Sequence, residues 1–124
     1  MFSHIMLGVN DLEVGKRFYD ALLGPLGIAP GVANKNRFFY RSPTGVFAIS
    51  TPINGEPATA GNGATTGFLA QSIEQVNTAH AAGVAAGGQS IEDAPGWRSD
   101  SMYLAYVRDP DGNKICLMHR KPAA

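Results

Sequence analysis

The sequence predicts one α+β domain in which a strand–helix–strands unit is written twice. Two segments, at either end of the first and second halves, pass from a period-2 to a period-3.6 apolar pattern with a helix-capping residue between them. Two Arg-x-Pro-x-Gly turns then follow at matching places, "RSPTG" at 41–45 and "RDPDG" at 108–112. Hydrophobic residues make up 44% of 124, enough for a single packed core and far from a disordered composition.

In the first unit, Ile5, Leu7 and Val9 alternate with His4, Met6 and Gly8, as a strand with two unlike faces requires. Asp11 is the expected N-cap, and Glu13 places negative charge at the positive end of the helix. Leu12, Phe18, Tyr19, Leu22 and Leu26 form the apolar stripe, and Gly24-Pro25 ends it. In the second unit, Thr66, Phe68 and Ala70 alternate with Thr65, Gly67 and Leu69. Ser72 and Gln75 make a capping box, Ile73, Val76, His80 and Val84 make the stripe, and Gly87-Gly88 stops the helix. The helix offset, Asp11 to Ser72, is 61 residues; the turn offset, Gly45 to Gly112, is 67. The six extra residues fall around "EDAPGWRSD". The expected organisation is module one over about 1–52, a linker over about 53–63 and module two over about 64–120. The two halves are expected to superpose with Asp11 over Ser72 and Gly45 over Gly112.

Lys and Arg equal Asp and Glu at 10 each, so there is no basic surplus to attract nucleic acid or an anionic membrane. No apolar run reaches membrane-spanning length, and "MFSHIMLGVND" lacks the basic start of a signal peptide. A single cysteine forms no internal disulfide and suits a cytoplasmic protein. The final "KPAA" is expected to fray.

"SHIMLGVNDLEVGKRFYDALLGPLG" resembles the opening, and "RDPDGNKICL" the closing hairpin, of the vicinal oxygen chelate superfamily. That group includes glyoxalases, extradiol dioxygenases and bleomycin resistance proteins. The resemblance implies two βαβββ modules forming a curved mixed sheet around a shared cavity, with helices outside and with homodimers common. Metal enzymes of the group draw ligands from four strands. Carried over, the first-strand histidine falls on His4, the closing-strand glutamate on Cys116, the second module's first ligand on Thr65, and the fourth on Ile49, or on Ala48 if the register slips by one. A catalytic zinc normally takes three protein ligands and a water. No metal or other cofactor is therefore expected, and His4 and Cys116 are the nearest candidates for one.

His4 reads either as a ligand or acid/base or as a hydrogen-bonded relic. Cys116, on a strand face with Met118, reads either as a thiolate or as a small apolar filler. His80 and His119 read as structural. Trp97 and Arg98 read either as a lid over the site or as a surface loop whose tryptophan covers the core edge. The expected pocket lining is His4, Met6, Ile49, Thr65, Leu69, Trp97, Arg98, Cys116 and Met118. Two functions follow. One is a glyoxalase-like lyase or isomerase, or a dioxygenase relative, acting on a small oxygenated metabolite with a degraded metal site. The other is a metal-free small-molecule binding or sequestering protein of the bleomycin-resistance type. The partners expected are a small-molecule ligand and a second copy of the chain.

Overall fold

The computed structural model describes residues 1–122; Ala123 and Ala124, the end of the tail expected to fray, lie outside them. Module one runs β1 (His4–Gly8), α1 (Leu12–Leu23), a 3-10 turn (Gly24–Leu26), β2 (Val32–Asn34), β3 (Arg37–Ser42) and β4 (Gly45–Ser50). Module two runs β5 (Thr66–Ala70), α2 (Ile73–Ala85), β6 (Gln89–Trp97), β7 (Met102–Arg108) and β8 (Lys114–Arg120). Each makes a four-stranded mixed sheet of the same order, β1-β4-β3-β2 and β5-β8-β7-β6. In both, the first strand pairs in parallel with the last and the rest pair antiparallel.

The predicted caps are in place. Asp11 Oδ1 accepts from the amides of Glu13 and Val14 at 2.9 and 3.1 Å, and Ser72 Oγ accepts from Gln75 N at 3.1 Å. Gln75 Oε1 reaches Gln71 N at 2.7 Å, one residue before the position a capping box would satisfy. The α1 stripe is buried as its spacing requires, with Phe18, Tyr19, Leu22 and Leu23 fully inaccessible. The α2 stripe is corrected. Its buried face is Val76, Ala79 and Gly83, while Val84 stays exposed. Residue size explains this: a Cβ on Gly83 would lie 2.8 Å from Leu22 Cδ1, so the α1 side chains fill the space a larger α2 stripe would need.

The two modules pack together through one core. The helices lie against each other, and one core cluster runs through both modules, joining Phe18, Tyr19 and Phe47 to Val76, Val107 and Leu117. Phe47 and Phe68 meet edge to face across the two sheets at 5.0 Å. Each sheet thus turns its helix-covered face to the common core and leaves its other face free of helices, with Pro52 and the linker's Ala58 packed beside Gly8 at one end of the first sheet. The two sheets are hydrogen-bonded separately, and residues of both line the space between β1 and β5.

Polar contacts brace this seam. Buried Tyr19 donates to Asp109 Oδ2 at 2.6 Å, and Asn113 Nδ2 donates to the Gly8 carbonyl at 3.1 Å. Within module one, Asp20 accepts from Lys16 Nζ at 2.5 Å, Gly31 N at 3.0 Å and Tyr40 Oη at 2.9 Å. Partial burial alone would raise the Asp20 carboxyl, but these donors and the Lys16 charge hold it below its usual value.

The two hairpins are not equivalent in length. Ser42 pairs with Gly45 across a two-residue turn, whereas Arg108 pairs with Lys114 across five residues, 109–113. Asp109 organises that longer loop, with Oδ1 accepting from Asp111 N and Asn113 N at 2.9 Å each. Gly112 sits in the loop at φ +92°, while Gly45 is the first residue of β4. The expected superposition of these two glycines is therefore wrong by the extra loop residue, and β8 is shifted by one relative to β4.

Candidate functional site on the open sheet faces

Ladder partners share a face, so the register lays out the open face of each sheet in rows. On the first sheet the rows are His4–Val46–Arg41, Met6–Ala48–Phe39–Val32 and Gly8–Ser50–Arg37–Asn34. On the second they are Lys114–Arg108–Gln89, Gly67–Cys116–Tyr106–Ile91 and Leu69–Met118–Leu104–Gly96. Met6–Ala48–Phe39 in module one thus stands where Gly67–Cys116–Tyr106 stands in module two. The partner position of Cys116 is Ala48. Ile49 is corrected: it lies on the covered face, fully buried, with its Cδ1 within 3.0 Å of the Cβ position on Gly15 of α1. A one-residue register change moves a side chain to the other face, and the longer second loop supplies that change.

The remaining expected site residues divide between the sheets. His4 and Met6 are exposed on the first open face, where His4 Nδ1 lies 2.8 Å from Ser3 Oγ. Leu69, Cys116 and Met118 share the second. Thr65 precedes β5 and is exposed beside Arg108 and Lys114. Trp97 is corrected: it pairs with Tyr103 on the covered side and packs edge to face against that ring at 5.4 Å, while Tyr103 Oη donates to Asn77 of α2 at 2.9 Å. The segment read as a lid or loop is strand β6, interrupted by a bulge between Ile91 and Gly96. Arg98 clamps that bulge, donating to the carbonyls of Gly96 at 3.1 Å and Asp93 at 2.9 Å. His80 and His119 both lie on covered sides. His80 Nε2 is 3.0 Å from Ser90 Oγ, and burial pushes its imidazole below the usual value.

Sequence reasoning missed the neighbours of Cys116. Tyr106 faces it across the ladder, Lys114 Nζ stands 4.7 Å over the Tyr106 ring, and Glu92 pairs with Lys114. Glu92 has a left-handed backbone, φ +58°, a strained state for a residue that is not glycine. Period-2 alternation along β7 and β8 would have found Tyr106 and Lys114. Nothing local announces the bulge that delivers Glu92. The Cys116 thiol is 5% exposed, and burial raises it, with the Tyr106 hydroxyl acting in the opposite direction. Burial and a raised thiol are what a small apolar filler and a poor nucleophile share.

Among the described residues no three His, Cys, Asp or Glu side chains come close enough to hold a metal ion. The four positions implied by the resemblance hold His4, Ala48, Thr65 and Cys116, with the two usable donors on different sheets. That donor set does not fit a catalytic divalent ion. Between β1 and β5, both unpaired edge strands, runs a groove of about 630 Å³ lined by Phe2, His4, Ile5, Phe47, Phe68 and Leu69.

The glyoxalase/bleomycin resistance protein/dioxygenase superfamily model matches residues 1–117. The chain belongs to that superfamily. Among solved structures, this superfamily member is similar to a glyoxalase/bleomycin resistance protein from Albidiferax ferrireducens T118. The identity is 69%, the TM-score is 0.93, and 96% of this chain and 98% of that chain are covered. It is 28% identical to a glyoxalase-related enzyme from Fulvimarina pelagi, with TM-score 0.73 over 97% of this chain and 88% of that one. A virulence protein from Salmonella typhimurium is 25% identical, with TM-score 0.66 over 97% and 96% of the two chains. Comparison with curated proteins gives no match. No helix among the described residues is long and apolar enough to cross a membrane.

Proposed function

We propose that this superfamily member is a metal-independent small-molecule binding or sequestering protein whose ligand lies on the open sheet faces. The observation that carries the reading is the donor set at the four strand positions: His4, Ala48, Thr65 and Cys116. Three protein ligands for a catalytic zinc are not available there, and a second copy of the chain would bring His4 and Cys116 together at most as a pair. A lyase or isomerase reading on a small oxygenated metabolite would need its proton transfers from His4 or Tyr106 without a metal.

Tag-free protein should contain below about one metal ion per ten chains by elemental analysis, measured against the tight binding that zinc sites show. It should not turn over a thiol–dicarbonyl adduct with added zinc, nickel or manganese. Cys116→Ala should leave metal content unchanged and destabilise by about 1 kcal/mol through lost packing. Near-stoichiometric metal that disappears in His4→Ala or Cys116→Ala would overturn the reading and favour the enzyme.

The binding unit we propose is a twofold dimer closed through the β1 and β5 edges. Its support is the exposed apolar set there: Phe2 is 70% exposed, Ile5 36%, Met6 39% and Leu69 64%. Two open strand edges with apolar side chains leave an unprotected surface that a second copy would cover. Sedimentation at micromolar concentration should show dimers, and Leu69→Glu should shift them towards monomers. Wild-type protein sedimenting only as monomer would sink the dimer.

A further inference from the structure

The balanced charge of this chain conceals a two-sided molecule. Six of its ten basic residues, Arg37, Arg41, Arg98, Arg108, Lys114 and Arg120, stand on the open-face side of the two sheets. The ladder rows of those faces contain no aspartate or glutamate among the described residues; Glu92 reaches Lys114 from the β6 bulge. Six of the ten acids serve elsewhere: Asp11 and Glu13 at a helix start, Asp20 on α1, Glu74 on α2, and Asp109 and Asp111 in the long loop; Asp93 stands beside Glu92 in the β6 bulge, and Glu56 and Asp100 lie in loops.

Arg37 is the telling member. Its neighbours in this group have local tasks. Arg41 stacks over Phe39 at 4.9 Å, Arg98 clamps the bulge, and Arg108 donates to the Gly112 carbonyl at 2.7 Å. Arg37 has no hydrogen-bond acceptor or salt-bridge partner among the described residues, and its Nε is buried. A buried donor without an acceptor is unfavourable, and a guanidinium fork matches a carboxylate or phosphate in shape and charge. Beside it along the face lies an apolar row, Met6, Ala48 and Phe39. Arg37 and Arg41 stand about 13 Å apart along β3, at about 3.3 Å per residue, with Phe39 between them.

We infer that the first open face binds a small amphipathic anion, with its carboxylate or phosphate oxygens on Arg37 and its apolar body over Phe39 and Met6. This rests on the proposed binding function and specifies the ligand class of that site. Arg41, held over the Phe39 ring, bounds the far end of the apolar row and adds favourable potential without contacting the anionic group.

Nitrogen-15-labelled protein titrated with benzoate, phenyl phosphate and neutral benzamide tests this. Benzoate or phenyl phosphate should shift amide signals of β1, β3 and β4, and the tighter of the two identifies which oxyanion the fork prefers. Benzamide should bind about tenfold or more weakly, the difference expected for a charge-assisted fork. Arg37→Gln should weaken the anion by about tenfold or more and leave benzamide unchanged. Arg37→Lys, keeping charge but losing the fork, should fall between them. Equal binding of benzoate and benzamide, or anion binding indifferent to Arg37→Gln, would overturn the anion inference while leaving a binding protein. Loss of the dimer in Arg37→Gln with probe affinity intact would make Arg37 a subunit contact and also overturn it. Silence of the open face to all three probes at tens of millimolar would overturn both readings.

Discussion

Asp109→Ala should destabilise the protein by about 3–5 kcal/mol in urea unfolding, because several buried donors lose their acceptor at once. The carboxylate is 4% exposed. Oδ2 accepts from Tyr19 Oη at 2.6 Å and Asn113 Nδ2 at 2.8 Å, and Oδ1 accepts from the amides of Asp111 and Asn113. Removing it leaves the Tyr19 hydroxyl unpaired inside the seam and frees the five-residue loop that sets the β7–β8 register. Burial and the Asp109 charge hold the Tyr19 phenol well above its ordinary value, which keeps its proton on the hydrogen bond to that carboxylate. Tyr19→Phe removes one donor and keeps the ring and the loop, so its loss should be near 1–2 kcal/mol. A loss below about 1 kcal/mol for Asp109→Ala would show that the loop holds its shape without the carboxylate.

Gly88→Val should destabilise by about 2–4 kcal/mol, through overpacking at the place where α1, the end of α2 and β7 converge. A Cβ there would stand 2.6 Å from Phe18 Cε1 and 2.9 Å from both the Gly83 carbonyl oxygen and Val107 Cγ2. The carbonyl cannot withdraw cheaply, since Gly88 N donates to it at 2.9 Å. Gly24 is the internal comparison. Its backbone is right-handed helical, φ −54° and ψ −49°, and a Cβ there meets nothing within 4 Å. Gly24→Ala should therefore cost at most about 1 kcal/mol, since the strain of a side chain before Pro25 in the right-handed region is offset by the lower entropy of the unfolded chain. Thermal unfolding of the two variants side by side checks the contrast. Equal losses would mean that the convergence at Gly88 relaxes more readily than its contacts imply.

The sequence by itself determined the duplicated plan. Asp11 and Ser72 announce helix starts because short polar side chains there satisfy free amides, and Ile5–Leu7 and Phe68–Ala70 announce two-faced strands. These are local effects with periods of two and 3.6, so they survive in any single chain. The same alternation placed His4 with Met6, and Cys116 with Met118. Tertiary structure alone decided the rest. An Arg-x-Pro-x-Gly turn looks the same at 41–45 and 108–112, yet Asp109 closes a longer loop on four hydrogen bonds, three of them buried. That one extra residue makes Ala48, not Ile49, the counterpart of Cys116. A period of two carries no memory of what a turn inserts, so the face of every following residue depends on contacts formed with Tyr19, some ninety residues earlier. The segment carrying Trp97 read as a lid or loop because Pro95, Gly96 and the charges around them look like loop chemistry; the β6 bulge at Glu92 absorbs them, and a left-handed glutamate leaves no mark in composition. The separation of charge was equally hidden, since a sum of zero is blind to position. Only the register, which puts Arg37 and Arg41 on one face whose ladder rows hold no acid, reveals a basic surface on a neutral chain.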